Sequence, residues 1–134
     1  MPDHKKQTLN QQSILVIDDD EPIRVLLRAM LEREGYRVLD ASDGNEGIKQ
    51  YTETPTDLVI TDLIMPEKEG IETIRDLRRK FPDVKIIAVS GGGRIGPDAY
   101  LKMAKVVGAF RALTKPIDRK ILLKAVKEVI EMDV

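Results

Sequence analysis

Five short runs of branched apolar residues, each followed by a stretch with helical spacing, limit what this chain can fold into. The runs occupy 13–18, 36–41, 57–62, 84–89 and 109–113. The first, Ser-Ile-Leu-Val-Ile-Asp, shows no polar alternation, which marks a strand buried on both faces. Between the runs, apolar residues recur at three- and four-residue steps. Ile23, Leu26, Leu27, Met30 and Leu31 form one such stripe. The others carry Ile48 and Tyr51; Ile71, Ile74 and Leu77; Tyr100, Leu101 and Ala104; and Leu122, Val126 and Ile130.

Local signals set the helix ends. Asp20 or Glu21 serves as a cap before Pro22, which suits a first turn, and Gly35 suits a left-handed stop. The predicted helices span 45–53, 70–81, 97–107 and a final segment capped by Asp118. Five strands alternating with five helices imply right-handed crossovers and a parallel sheet covered on both faces, an α/β fold. No linker divides the chain, so one domain over 13–132 is expected after a loose polar tail at 1–12. No second domain is visible after the last helix.

The composition excludes several chemistries. With no cysteine there is no disulfide, thiolate nucleophile or cysteine–zinc site. The single histidine, His4, lies in the tail without a partner in view. A formal net charge of −1 gives no global field toward nucleic acid or a membrane surface. No apolar run approaches the ~20 residues of a membrane span, and the start lacks the apolar core of a signal peptide. A cytoplasmic protein is the plain expectation, with no nucleic acid or membrane partner.

In an open parallel sheet, ligands bind beyond the carboxyl ends of the strands. Strand one ends in Asp18-Asp19-Asp20, strand three in Asp62, strand four in Ser90, and strand five in Thr114-Lys115-Pro116. If strands one and three are neighbours, their carboxylates meet in one crevice and repel unless a cation joins them. Mg²⁺ fits, because it prefers oxygen ligands and is held by one or two carboxylates plus phosphate oxygens. On this reading Asp19 and Asp62 bind the ion directly and Asp18 acts through water. A central carboxylate can also attack phosphorus to give an aspartyl phosphate. Lys115 then balances the phosphoryl oxygens and Ser90 donates a hydrogen bond. Each residue alone has a plainer role as cap, turn residue or solvated lysine; the argument rests on four strand ends carrying what one site needs.

These residues carry a resemblance to a known family. Ile17-Asp18-Asp19, Thr61-Asp62-Leu63-Ile64-Met65-Pro66 with Gly70, Ser90-Gly91 and Thr114-Lys115-Pro116 resemble the receiver domain of two-component response regulators over nearly all of 13–132. The resemblance implies a flavodoxin-like (βα)5 doubly wound sheet of order 2-1-3-4-5. It implies Asp62 as phosphoacceptor, Asp18 and Asp19 as the acidic metal pocket, and the backbone carbonyl of Ile64 as a further Mg²⁺ ligand. Ser90 and Lys115 would contact the phosphoryl group. The donor would be a sensor histidine kinase or phosphotransfer protein. Such a domain is a switch that assists its own phosphorylation and dephosphorylation, not a turnover enzyme. Its output would run through the fourth helix, fifth strand and fifth helix, to a downstream protein or a second copy. Lys102, Lys105, Arg111, Arg119 and Lys124 make that face locally basic.

Three departures from the family pattern stand out. Ala112 occupies the position, three before the site lysine, where receivers usually carry an aromatic residue; Phe110, on the same strand face by alternation, is the candidate substitute. Gly91 to Gly96 form a glycine-rich segment suited to a mobile loop. Ile64 places an apolar side chain two residues past Asp62, expected to hinder an attacking water. Two other functions fit parts of the pattern. A small phosphatase using an aspartyl-phosphate intermediate would want a general-acid aspartate where Ile64 stands. A degenerate receiver serving only as a docking module would suit Ala112 but not the complete acidic, hydroxyl and lysine set.

Overall fold

The computed structural model describes residues 11–63, 70–91 and 97–132, with the side chains of Pro97, Asp98, Tyr100 and Leu101 outside that description. Strands β1 (Ser13–Ile17), β2 (Arg37–Ala41), β3 (Leu58–Asp62), β4 (Ile86–Ser90) and β5 (Arg111–Thr114) alternate with helices α1 (Glu21–Arg33), α2 (Gly44–Glu53), α3 (Gly70–Lys80), α4 (Pro97–Val107) and α5 (Arg119–Glu131). The sheet is parallel, in the order β2-β1-β3-β4-β5. That is the expected doubly wound α/β fold.

Because β1, β3 and β4 are central, both of their faces are covered, and nearly every side chain in them is buried. Alternate residues therefore build two cores. Leu15, Ile17, Val59, Ile86 and Ala88 pack with Ile48 and Tyr51 of α2, Ile74 and Leu77 of α3, and Ala104 of α4. On the other face Ile14, Val16, Ile60, Ile87 and Val89 pack with Leu27 and Leu31 of α1 and Leu122, Val126 and Ile130 of α5. Tyr51 and Phe81 meet edge to face, with ring centroids 4.8 Å apart.

Helix ends follow local chemistry. Asp43 and Asp118 cap α2 and α5 by accepting from the backbone N–H groups of Glu46 and Ile121. Asp20 precedes α1 without a side-chain cap bond. Gly35 takes φ +95° just past α1, and the Tyr36 N–H returns to the Leu31 carbonyl, so the predicted glycine stop is present.

Three expectations on packing need correction. Leu26 is 49% exposed although its spacing puts it in the apolar stripe of the first helix. Leu27 and Leu31 are buried, while Ile23 and Met30 are only partly buried at the edges. One sheet face covers a narrower arc of α1 than the stripe offered. The fourth and fifth strands also begin later than their apolar runs, by two residues each. β4 begins at Ile86, after Val84 closes a turn onto the Phe81 carbonyl, and β5 begins at Arg111, after Ala109 is still bonded to α4 at Ala104. Third, Phe110 precedes β5 and packs with the Ile87–Val89 core, whereas Ala112 is in register with Ala88 of the other core. The Phe110 ring centroid also lies 5.2 Å from Arg78 Cζ of α3, away from the Ala112 position itself. The inward placement of Tyr100 and Leu101, the tail residues 1–10 with His4, and the glycines at 92, 93 and 96 lie outside the described residues.

Candidate functional site

Strand register brings the predicted residues together. Ile17 pairs with Thr61, so the next residue on each strand places Asp18 beside Asp62. Asp62 in turn pairs with Val89, and Ser90 with Thr114. Four strands thus end in adjoining rows, with Asp18 and Asp62 in one, Ser90 and Thr114 in the next, and Lys115 just beyond.

The side chains converge as the register requires. One carboxylate oxygen from each of Asp18, Asp19 and Asp62 lies within 4.8 Å of the others. Asp18 and Asp62 are buried, and Asp19 is exposed. Lys115 reaches over from β5. Its Nζ is 3.1 Å from Asp18 Oδ2 and 3.4 Å from Asp62 Oδ2. Burial alone would lower the lysine pKa, but the neighbouring Asp62 and Asp18 carboxylates outweigh it and hold the pKa above its ordinary value. The ammonium is therefore firmly charged. Ser90 is completely buried at the end of β4. The Lys115–Pro116 peptide bond is cis.

Two glycines shape this corner. A Cβ at Gly91 would sit 3.1 Å from Lys115 Cδ and 3.5 Å from its Cβ, so the lysine stem lies along a surface without a side chain. A Cβ at Gly70 would come within 2.1 Å of the Asp62 carbonyl oxygen and 2.5 Å of Leu63 Cα. The Gly70 N–H donates to the Leu63 carbonyl at 3.0 Å, which starts α3 directly against the strand that carries Asp62.

The donor set suits a hard divalent cation. It consists of carboxylate oxygens only, partly buried, at one point, with spacing that a single ion can bridge. Asp18, Asp19 and Asp62 could hold such an ion. The expected third protein ligand, the Ile64 carbonyl, lies outside the described residues, as does the Ile64 side chain. Sequence reasoning missed Arg24, whose Nη1 donates to the Asp18 carbonyl at 2.6 Å. The available signal was a lone arginine one helical turn beyond an acidic turn.

Comparison with known proteins bears on the family and the fold that carry this site. The sequence profile of the response regulator receiver domain matches residues 14–127. The transcriptional regulatory protein GlrR of Escherichia coli is 36% identical over 118 residues, which cover 88% of this chain and 26% of that protein. The chemotaxis protein CheY of Halobacterium salinarum is 32% identical over 119 residues, 89% of this chain and 97% of that one. Among solved structures, a receiver domain from Clostridium thermocellum has a TM-score of 0.82 at 34% identity, covering 89% of this chain and 94% of its own. A CheY-like receiver from Methanospirillum hungatei has a TM-score of 0.83 at 28% identity, covering 90% and 94%. The chain spans only 26% to 52% of the first transcriptional and response regulators it matches.

Proposed function

The chain belongs to the response regulator receiver domain family, and from that premise we propose that it is a phosphorylation-dependent signalling switch with Asp62 as phosphoacceptor. The observation that carries this reading is the meeting of Asp18, Asp19 and Asp62 within 4.8 Å, with the Lys115 ammonium set between two of them. In the reaction, a carboxylate oxygen of Asp62 forms a bond to phosphorus while the bond from phosphorus to the donor breaks. A phosphohistidine donor leaves as imidazole, which takes up a proton. Transfer of this kind depends on positioning and charge neutralisation more than on acid–base groups. Lys115 neutralises phosphoryl charge, and the Ser90 hydroxyl donates to a phosphoryl oxygen. Mg²⁺ held by Asp18, Asp19 and Asp62 supplies further neutralisation when bound.

The donor we propose is a sensor histidine kinase or a phosphotransfer protein. Relatives include the CAI-1 autoinducer sensor kinase/phosphatase CqsS of Vibrio cholerae, 32% identical over 121 residues. The output surface we propose is α4, β5 and α5. Support comes from Val106, 86% exposed on α4, and Ile121, 58% exposed on α5. Beside Ala112, an open hollow of about 240 Å³ is lined by Leu113, Thr114, Pro116, Ile117, Asp118 and Ile121. Of the basic residues on this face, Arg111 and Arg119 are tied to Glu128 at 3.2 Å and Glu34 at 3.5 Å. Lys102, Lys105 and Lys124 are exposed.

The test is incubation with acetyl phosphate and MgCl2, followed by intact mass spectrometry. The parent chain should gain one phosphoryl group, and Asp62→Ala none. A parent that gains none, or an Asp62→Ala variant that gains as much, would overturn the reading.

A further inference from the structure

Arg24 lies on the first turn of α1, six residues past Asp18, and its side chain turns back toward the strand instead of out to solvent. Its Nη1 donates to the Asp18 backbone carbonyl at 2.6 Å, at the short end for such a bond. Asp18 is held at three other points. Its N–H donates to the Ala41 carbonyl at 3.1 Å, its Oδ1 accepts from the Asp20 N–H at 2.9 Å, and its Oδ2 accepts from Lys115. Together these bonds fix both the backbone and the carboxylate of Asp18. They also fix the direction in which the chain leaves β1, and hence where Asp19 projects. Asp20 makes no side-chain cap bond to α1, so the turn is tied by the Asp20 N–H to Asp18 Oδ1 and by Arg24 to the Asp18 carbonyl.

We propose that Arg24 is a positioning residue for the acidic site: it clamps the β1–α1 turn so that Asp18 and Asp19 present their oxygens to one cation shared with Asp62. The inference rests on the metal-dependent reading above. It makes a prediction of definite sign. Arg24 is itself a cation near an acidic cluster. If charge were its whole contribution, removing it would strengthen binding of a divalent ion. If it positions the ligands, removing it weakens binding, and the loss of a group that orients metal ligands is typically about 10- to 100-fold.

The experiment is calorimetric titration of the parent chain, Arg24→Met and Arg24→Lys with MgCl2, alongside thermal melting of each without metal. Positioning predicts Mg²⁺ affinity at least about tenfold weaker in Arg24→Met, with part of it restored in Arg24→Lys, which keeps a donor on a shorter stem. A purely structural tie would lower melting and leave affinity unchanged, which would overturn the inference. Equal or tighter binding in Arg24→Met would overturn it too. Should Arg24→Met fail to fold, Arg24→Lys decides alone, since it keeps the charge and only loosened positioning can weaken its affinity. A parent chain that takes no Mg²⁺ would sink the functional reading and this inference with it. A parent that binds while both variants bind equally well sinks this inference only.

Discussion

Replacing Lys115 by methionine keeps the stem and removes the charge between Asp18 and Asp62. At 3.1 and 3.4 Å, each contact carries a gross attraction of about 5 kcal/mol at an effective permittivity of about 20. Much of that offsets the cost of burying the charges. Deleting one partner of a fully buried pair costs about 3–5 kcal/mol, because the other charge is left uncompensated. With 21% of the lysine side chain exposed, water screens part of the loss, and roughly 2–3 kcal/mol is expected in urea unfolding without metal. Adding Mg²⁺ should narrow the gap. The variant lacks an ammonium that repels the ion, and a tenfold gain in affinity returns about 1.4 kcal/mol at saturation. Phosphorylation by acetyl phosphate should fall even with metal present, since the positive charge on the phosphoryl side is gone. A variant within about 0.5 kcal/mol of the parent in EDTA, or a gap that Mg²⁺ does not narrow, would refute the claim that the ammonium balances the carboxylates.

Gly70→Ala should cost at least about 1–3 kcal/mol, because the new methyl meets Asp62 and Leu63 backbone rather than a movable side-chain tip, and it should slow phosphorylation of Asp62 as well. A variant that is both as stable and as readily phosphorylated would contradict the close approach. Adjacent leucines should differ sharply: Leu27→Ala, fully buried, should cost about 2–5 kcal/mol, and half-exposed Leu26→Ala under about 1 kcal/mol, by the same urea assay. Stability should also fall in alkali. Lys115 and Tyr51 both have raised pKa values in the folded state, Tyr51 through burial and the nearby Asp57 and Asp83 carboxylates against an opposing Arg78. Their contributions are complete below the unfolded values near 10 and are lost as pH rises through the higher folded values. Urea midpoints for Tyr51→Phe should fall less steeply above about pH 10 than those of the parent; equal slopes would exclude Tyr51 as a contributor.

The sheet and helices were legible because burial on two faces leaves an unbroken apolar run, and burial on one face leaves a stripe. Both survive in the order of residue types alone, as at 13–18 and at Ile74 and Leu77. Asp18, Asp62, Ser90 and Lys115 were legible because the ends of parallel strands form a place as well as a sequence position. Once the strands were set, the site residues were those left at their tips. What failed depends on distances that periodicity does not encode. Leu26 and Leu27 are adjacent in every stripe, and only the width of the sheet beneath α1 separates the 49% exposed residue from the buried one. Phe110 obeys alternation only if the strand has already begun, and it has not.

Arg24 and the two glycines share a different obstacle. Their partners are backbone atoms or aliphatic stems, namely the Asp18 carbonyl, the Asp62 carbonyl and the Lys115 methylenes. Such partners exist in every sequence and leave no residue-type signature. Chemistry-bearing groups are chosen by type, so the sequence displays them; the groups that aim them are chosen by shape. A substitution that spares all four acidic and basic groups can therefore still disable the site. The comparison that isolates this is Gly70→Ala against Asp62→Asn. Gly70→Ala should slow phosphoryl uptake and Asp62→Asn should abolish it, but only Asp62→Asn discards a carboxylate that a bound cation could use. Mg²⁺ affinity should accordingly fall further in Asp62→Asn, and equal affinities in the two variants would show that position and charge are not separable here.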